Sequence, residues 1–497
     1  MAESNKYLIC LDNGGTYIKG ILYTVEGKQI AVSKHHTHII SPKSDWVEYD
    51  QDELWEANAL CIRNLIKTSE IDPVEIMVIG ICGQGGGLYA IDENGNSIRN
   101  AIASSDRRAF SIATGWRESG LSDELYPFIY RYPLSGHLST LLAWLKQNEP
   151  ENYHRIKWLF SMKDYLIYRL TDEIVAGYDC FSTSGLLNLK TMKFDRDVSE
   201  KMGIEDAVDK CGRLVWGTEV CGYVTEKAAE LCGCLPGTPV AAGAHDVNAS
   251  AVAIKATDAE HPFIITGTHA INGYISEIPV LNKIVRNNEL FAYPGKYLIE
   301  EGYPSSSATL DWAISVLFET DKDPKFFYNG IDKMVQNFQA DFSDCYFLPF
   351  LRGQRDDPMI RGTWINLNPD TTKEEMLRAV YEGVVFSHMI QIGYLFSTQE
   401  TPNTFEMAGG ATYSNVWVQM FADALNANIE ILNEKEMGTK GVAILASVAC
   451  GFYKSVEEAI DHMGATSLLI KPDKKKHSFY KQRYKKFVKY VNMLKSK

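Results

Sequence analysis

A run of small apolar residues near the middle of the chain, residues 240–244, restricts the fold more than any other stretch. Gly237 marks a turn just before it, and a short apolar run bounded by turn residues is typical of a strand buried on both faces. In parallel α/β sheets, ligands collect at the carboxyl ends of the strands. We therefore expect Asp246, at the end of this strand, to point into a ligand crevice. The alternative is that it only caps a helix starting at Val247, because Asp is a favoured N-cap residue.

The size and charge of the chain narrow its class. A chain of 497 residues exceeds what one hydrophobic core supports, so two or more domains are expected. The net charge of −13 argues against nucleic acid as a partner, which requires a basic surface. The sequence contains no apolar run long enough for a membrane span, and its first residues lack the basic and apolar regions of a secretory signal. The 10 cysteines of so long a chain are no disulfide framework and form no C-x-x-C pair, so we expect a reduced, cytoplasmic enzyme.

A glycine-rich turn near the amino terminus, residues 12–16, joins two short apolar strands. Backbone amides around Gly15 can wrap phosphate oxygens, and the Thr16 hydroxyl and Lys19 amine add donors and charge. Asp12 is the expected oxygen ligand of Mg²⁺ or of its waters. The alternative is that this stretch is only a hairpin turn.

The same pattern returns in the second half of the chain. A strand over residues 263–266 ends at Gly267 and Thr268 and is followed by a return strand. Two similar units indicate two domains of one architecture, which face each other across a cleft with a boundary near residue 253. The two turns would then hold the phosphates of one nucleotide from opposite sides.

Two further stretches of the second half bear on ligand binding and surface charge. Another strand runs into Gly409 and Gly410 ahead of a helix that begins at Asn415. Backbone at the two glycines can approach a nucleotide, or the stretch is only a strand–helix joint. From Lys471 onward, 11 Lys or Arg accompany one acid. We expect a terminal helix with a docked apolar stripe and a solvated basic face, the alternative being a nucleic-acid arm.

Two loops of the first half carry candidate sugar contacts. Four glycines surround Gln84, which allows a polar ligand to approach closely, and Gly85 continues this turn. Asp106 and Arg108 lie in the loop of residues 104–108, where they either grip sugar hydroxyls or pair as a surface ion cluster.

In this order, the motifs resemble those of the FGGY carbohydrate kinases, members of the actin-like ATPase superfamily. The resemblance covers nearly the whole chain and rests on residues 12–16 with Lys19, Gly83 and Gln84, residues 144–150, residues 163–166, residues 243–246, Gly267 and Thr268, Glu382 and Gly383, and residues 408–410. It implies an α/β fold with two actin-like (ribonuclease H-like) domains that face each other across a nucleotide and sugar cleft. Residues 1–253 would form the first domain, and residues 254–497 the second, which ends in the basic helix.

The resemblance also implies a mechanism and its cofactors. Asp246 would accept the proton of a sugar hydroxyl as that hydroxyl attacks the γ-phosphate of ATP, with Mg²⁺ held by Asp12 and Asp246. The residues implied in ATP binding are Gly15, Thr16, Lys19, Gly267, Thr268, Gly409, Gly410 and Asn415. The first motif of the family more often ends in Arg than in Lys19.

For the sugar, residues 104–109 and the stretch from Gly136 to Trp144 look most like the L-xylulose (3-keto-L-gulonate) kinase branch. Gln84, Gly85, Asp106, Arg108 and Asp246 are the implied substrate contacts. Arg108 would bind the carboxylate of an acidic sugar. D-xylulose, erythritol, gluconate and glycerol remain alternative substrates. A protein of a different class, a non-catalytic sugar sensor, is the less favoured alternative to a kinase. The sequence does not determine whether the protein forms a homodimer.

Overall fold

The computed structural model of the protein describes residues 6–15, 17–267, 269–318, 327–337, 343–355 and 359–495. Thr16 and Thr268, both predicted to contact phosphate, lie outside the described residues. The strands of the first half are β1 (Tyr7–Asn13), β2 (Tyr17–Thr24), β3 (Gln29–His36), β4 (Glu48–Tyr49), β5 (Ile76–Gly83), β6 (Tyr89–Ile91), β7 (Ala101–Ile102), β8 (Trp158–Phe160), β9 (Val175–Gly177), β10 (Leu187–Asn188), β11 (Lys193–Phe194), β12 (Arg213–Val215), β13 (Val220–Tyr223) and β14 (Pro239–His245). Its helices are α1 (Gln51–Ser69), α2 (Phe110–Glu118), α3 (Leu121–Ile129), α4 (Leu138–Asn148), α5 (Pro150–Arg155), α6 (Met162–Thr171), α7 (Tyr178–Ser184), α8 (Arg196–Lys201), α9 (Glu226–Cys232) and α10 (Asp246–Ala253).

The second half repeats this mixture of strands and helices. Its strands are β15 (Phe263–Thr266), β16 (Ala270–Ser276), β17 (Asn287–Leu290), β18 (Tyr297–Tyr303), β19 (Tyr346–Leu348), β20 (Thr363–Ile365), β21 (Thr404–Gly409), β22 (Asn428–Leu432) and β23 (Ser467–Ile470). Its helices are α11 (Ala308–Phe318), α12 (Tyr328–Asn337), α13 (Lys373–Leu395), α14 (Asn415–Leu425), α15 (Met437–Ala449), α16 (Val456–Met463) and α17 (Lys474–Lys495).

Two large sheets share one arrangement of six strands, and the second has β17 as an additional edge strand. The first runs β13-β14-β5-β1-β2-β3, and the second runs β23-β22-β21-β15-β16-β18-β17. In the first sheet β14, β5 and β1 are parallel, whereas β13, β2 and β3 are antiparallel to their neighbours. The equivalent strands of the second sheet have the same directions. The doubled order confirms the prediction of two similar α/β units.

The parallel strands of each sheet end together. In the first sheet Asn13 and His245 both pair with Gly83, and in the second Thr266 pairs with Gly409. Since a chain leaves the sheet at these positions, the residues that follow are gathered along one edge.

Helix α10 begins one residue earlier than the capping alternative requires. Asp246 is its first residue, and its N-cap is His245, which makes no side-chain capping bond. Asp246 therefore follows the buried strand directly, as predicted, and does not occupy the N-cap position.

A shared core joins the two halves behind this edge. Helix α15 of the second half packs against the first sheet, where a Cβ at Gly80 would lie only 2.4 Å from Val442. The same helix crosses α10 so closely that a Cβ at Gly441 would lie 1.8 Å from the Ala249 carbonyl oxygen. Only glycine fits at these two contacts, which bring the second half against the face of the first sheet and against α10.

The basic terminal helix α17 docks as predicted, with Tyr480, Phe487 and Val491 buried. Arg483 on the same face donates to Glu382 at 2.6 Å. The lysines of its outer face are exposed. Among the described residues, no helix has both the length and the apolarity needed to cross a membrane.

Candidate active site

Asp246 is the half-exposed carboxylate at the carboxyl edge of the first sheet. Its side chain is 46% exposed, although the strand before it is buried. One carboxylate oxygen accepts the Val247 backbone N–H at 2.8 Å. The other oxygen has no protein donor among the described residues, so the group is placed to accept a proton from a bound ligand.

Asp12 lies near Asp246 at the same edge. Burial and the nearby Asp246 carboxylate raise the pKa of Asp12 to about 6, against an opposing effect of Lys19. Two carboxylates close enough to perturb each other attract a cation. Among the described residues, no group of three His, Cys, Asp or Glu side chains converges as a metal site. Two acids without a full cage suit Mg²⁺, which usually binds one or two carboxylates together with waters and phosphates.

Lys19 is opposite Asp12 in the β1–β2 hairpin and meets the second half of the chain. Its amine donates to Glu436 at 2.7 Å, and Lys34 approaches the other oxygen of Glu436 at 3.3 Å. Although burial acts against the charged amine, Glu436 raises the pKa of Lys19. Lys19 stays 31% exposed, so its charge also reaches the cleft.

The glycine-rich turns around Gln84 are held by a small polar network. The Gln84 amide nitrogen donates to the Tyr49 hydroxyl at 3.1 Å, and its oxygen accepts from the Ser104 hydroxyl at 2.8 Å. A Cβ at Gly15 would lie 3.9 Å from the Gln84 amide nitrogen, so the predicted phosphate turn and sugar turn are neighbours. Gly85 continues the turn and lies against the ring of His245. Sequence reasoning did not foresee Tyr49 or Ser104 as supports.

Asp106 and Arg108 pair with each other inside the protein. Both side chains are fully buried, and Arg108 bonds Asp106 at 2.8 Å and Glu48 at 2.8 Å. The guanidinium is also packed between the rings of Trp46 and Trp144, at 4.0 and 5.1 Å from their centroids. The pair is thus a buried ion pair and not a surface ion cluster, and its contact with a sugar stays a prediction.

Another arginine of the same loop points outward. Arg107 reaches the second half and donates to the Arg352 carbonyl oxygen at 3.4 Å. Successive side chains of this loop point in opposite directions, so Asp106 and Arg108 point into the core and Arg107 points outward. The two adjacent arginines gave no signal in the sequence that would tell them apart.

The edge of the second sheet presents backbone rather than carboxylates. Gly409 has φ +96°, and a Cβ there would lie 2.3 Å from the Thr266 carbonyl oxygen. The Ser307 hydroxyl donates to the carbonyl oxygens of Thr266 and Gly267, each at 3.0 Å. It also lies beside Gly410, whose Cβ would meet its oxygen at 2.7 Å. Ser307, in a run of three serines, is a support that sequence reasoning missed.

Asn415 is exposed at the start of α14, close after this glycine turn. Ser414 caps the helix by accepting the Trp417 N–H at 3.1 Å. The Asn415 amide is therefore not needed for capping and faces solvent at the edge where Gly409 and Gly410 lie.

Behind Asp246, a buried network of charged side chains connects the two halves, as the Lys19–Glu436 ion pair does. His245 Nε2 lies 2.5 Å from Glu289 on β17, and Glu289 accepts from Arg131 at 2.9 Å. Burial opposes the charged imidazole, but Glu289 and Asp246 together raise the pKa of His245 well above its usual value.

Comparison with known proteins identifies this arrangement. The N-terminal domain model of the FGGY family of carbohydrate kinases matches residues 7–253, and the C-terminal domain model matches residues 263–450. The chain is 31% identical over 489 residues to L-xylulose/3-keto-L-gulonate kinase of Escherichia coli (strain K12), covering 97% of this chain and 96% of that protein. It is 30% identical over 492 residues to a probable L-xylulose kinase of Pasteurella multocida (strain Pm70), covering 99% of each.

A solved structure agrees over the same length. Ligand-bound xylulose kinase from Lactobacillus acidophilus superposes with a TM-score of 0.91 at 25% identity, covering 98% of each chain. Fold and site together define an ATP-dependent sugar kinase with two α/β domains. The chain belongs to the FGGY family of carbohydrate kinases.

Proposed function

We propose that this kinase transfers the γ-phosphate of MgATP to a terminal hydroxyl of L-xylulose or 3-keto-L-gulonate. The observation that carries the proposal is the half-exposed Asp246 carboxylate at the edge where the two halves meet. The names of the relatives from Escherichia coli and Pasteurella multocida support the sugar. The division into domains 1–253 and 254–497 belongs to the same proposal.

Asp246 is proposed as the general base. It accepts the proton of the sugar hydroxyl while that oxygen attacks the γ-phosphorus and the bond to the β-phosphate oxygen breaks. Phosphoryl transfer depends mainly on positioning and on charge neutralisation, and a positioned base contributes about 10²–10⁴-fold. Asp246 would be positioned for this role by the buried strand β14 before it and by helix α10, which it begins.

The nucleotide is proposed to lie between the two glycine turns. Gly15 and Lys19 of the first half would contact phosphate oxygens opposite Gly267 of the second, with Thr16 and Thr268 as predicted partners. Gly409, Gly410 and Asn415 would line the adenosine. Asp12 and Asp246 would hold Mg²⁺, which supplies positive charge to the phosphates when it is bound.

The sugar is proposed to bind at Gln84, Gly85 and Asp246. Tyr49 and Ser104 fix the Gln84 amide in place. Asp106 and Arg108 would support the loop of residues 104–108 from inside the protein. A cytoplasmic location and a homodimer are further parts of the proposal, which cell fractionation and light scattering test.

A coupled assay of ADP release over a panel of sugars tests the substrate. We expect L-xylulose and 3-keto-L-gulonate to exceed D-xylulose, glycerol, gluconate and erythritol in kcat/KM. A clear preference for one of the last four would overturn the choice of sugar while leaving the kinase class intact. ADP release without any added sugar serves as the background.

A further inference from the structure

One buried side-chain atom beside the proposed base makes an ion-pair contact but no hydrogen bond among the described residues. His245 Nδ1 has no hydrogen-bond partner among the described residues, although its side chain is only 4% exposed. It lies 3.6 Å from Asp246 Oδ1, which is beyond hydrogen-bond distance. A buried polar atom without a hydrogen bond destabilises the protein, so a bound group that pairs with it is stabilised.

The position of Nδ1 points to the sugar. A Cβ at Gly85 would lie 3.2 Å from this nitrogen, which means that the backbone of the sugar turn passes directly over it. Nδ1 therefore lies between two proposed sugar contacts, Gly85 and Asp246. A sugar hydroxyl both donates and accepts hydrogen bonds, so it pairs with Nδ1 whatever the charge of the ring.

The other nitrogen of the ring is fully engaged. Nε2 lies 2.5 Å from Glu289 Oε1, and the Asn248 amide lies 2.5 Å from the same nitrogen. Arg131 holds the second oxygen of Glu289 at 2.9 Å, and the Glu289 side chain is 1% exposed. These contacts fix the orientation of the ring, and Nδ1 is left with the 3.6 Å ion-pair contact to Asp246 and no hydrogen bond among the described residues.

Glu289 comes from the second half of the chain, whereas His245 belongs to the first. Strand β17, which carries Glu289, is anchored on the first half by two backbone N–H groups. That of Asn288 donates to the Tyr130 carbonyl oxygen, and that of Leu290 donates to the Ser182 hydroxyl at 3.0 Å. The Tyr126 hydroxyl donates to the Val285 carbonyl oxygen at 2.7 Å just before this strand.

We propose that His245 Nδ1 is a hydrogen-bonding contact for a sugar hydroxyl next to the one that is phosphorylated, and that Glu289 is the positioning residue that aims it from the other half. The inference rests on the proposed ketose kinase function. It adds a requirement on the substrate, a hydroxyl adjacent to the reacting one.

Two substitutions of His245 give opposite expectations. The amide of Asn reaches approximately the place of Nδ1, whereas the amide of Gln reaches that of Nε2. If Nδ1 binds sugar, His245→Gln should raise KM for the best ketose about tenfold or more, which is the scale of one lost hydrogen bond. His245→Asn should stay within about threefold, and both should keep KM for ATP within about twofold. If His245 is only a structural partner of Glu289, Gln is the better tolerated residue, and that result overturns the proposal.

Glu289→Gln tests the positioning role. It should raise the ketose KM about three- to tenfold, and the double variant with His245→Gln should be no worse than His245→Gln alone, because Glu289 acts through that ring. Additive losses would contradict the role. Tyr126→Phe removes another contact between the same segments and should leave both KM values near those of the unsubstituted enzyme.

Deoxy analogues of the best ketose, each lacking one hydroxyl, provide a test that does not depend on folding of the His245 variants. The unsubstituted enzyme should lose about tenfold in kcat/KM with the analogue that lacks the adjacent hydroxyl, and Glu289→Gln should reduce that discrimination. Equal discrimination in both enzymes overturns the inference alone. Failure of the unsubstituted enzyme to phosphorylate any ketose overturns the proposed function as well.

Discussion

The two large sheets share one arrangement of six strands but carry different groups at their carboxyl edges. The first edge presents the carboxylates Asp12 and Asp246, whereas the second presents backbone at Gly267, Gly409 and Gly410. The shared arrangement of strands gathers residues at each edge, and the residue that follows a strand determines which ligand chemistry that edge would suit. An acid suits proton and metal chemistry, and bare backbone suits a closely packed nucleotide.

The helices after the third parallel strand extend this comparison. In the first half β14 leads directly into α10 and places Asp246 at the edge. In the second half β22 leads through a loop to α15, which crosses α10 at Gly441. The loop brings Glu436 to Lys19 on the first sheet. The second unit thus contributes its charged group to the edge of the first, which makes the pair of similar units asymmetric in function.

The most direct test of the comparison is Asp246→Asn, which removes the proton acceptor from the first edge. We expect kcat to fall by about 10²–10⁴-fold, because a general base contributes on this scale. ATP binding should persist, since the second edge is intact. Steady-state kinetics and calorimetric titration measure the two effects. Asp461→Asn, on the exposed face of α16, is the matched control, and a folded Asp246→Asn enzyme with near-normal turnover would refute the assignment.

Arg108→Ala tests whether the loop of residues 104–108, beside the first edge, has a structural role. Removing one partner of a buried ion pair costs about 3–5 kcal/mol, because the buried Asp106 carboxylate is left without its cation, whereas Glu48 keeps its ion pair with Arg99. We expect the free energy of unfolding to fall by this order, with equal losses of kcat/KM for L-xylulose and 3-keto-L-gulonate. Arg107→Ala, in the same loop but partly exposed, should change stability by less than about 0.5 kcal/mol. A selective loss of the acidic sugar would support the direct contact that the sequence predicts.

A pair of glycine substitutions separates the two edges. Gly243 has φ +61° and Gly409 has φ +96°, and a Cβ would lie 2.0 Å from Ile81 and 2.3 Å from Thr266, respectively. Alanine at either position should cost about 2–3 kcal/mol of stability from backbone strain and close contact. Gly409→Ala should mainly raise KM for ATP, and Gly243→Ala should mainly lower kcat. Gly237→Ala, with φ +86° but nothing within 4 Å, controls for the backbone angle alone. Identical kinetic changes from the first two would mean that the edges do not have separate roles.

Asp12→Asn tests the first edge through stability rather than turnover. The pKa of Asp12 is about 6 in the folded protein, whereas the ordinary value of 3.8 applies to the unfolded chain. The unfolded chain therefore ionises first as pH rises, and Asp12 destabilises the fold increasingly between these values. Without nucleotide or Mg²⁺, Asp12→Asn should raise the free energy of unfolding by about 3 kcal/mol at pH 7.5 and by much less at pH 4. Urea unfolding at the two pH values measures the difference, and equal gains at both would exclude the electrostatic cause.

Local sequence patterns were sufficient to predict much of the fold. The small-residue strand, its terminal acid and the recurring strand–glycine–strand unit depend on alternation, turn residues and burial, which neighbouring residues determine. The prediction that Asp246 follows a buried strand is confirmed, as are the doubled α/β architecture and the docked terminal helix. The roles of the individual site residues remain predictions.

The orientation of Arg107 and Arg108 could not be predicted, because adjacent residues of the same type have the same local preferences. Trp46 and Trp144, 62 and 36 residues away along the chain, enclose one guanidinium and exclude the other.

The sequence by itself determined which strands form and where their polar ends lie, because these depend on short-range periodicity. Only the tertiary structure decided which distant groups meet there: Glu436 at Lys19 and Glu289 at His245. Glu289 lies 44 residues from His245 in the chain, and Glu436 lies 417 residues from Lys19. Such pairs form because packing of the two halves brings the charges together and burial makes an unpaired charge costly, which no local pattern records.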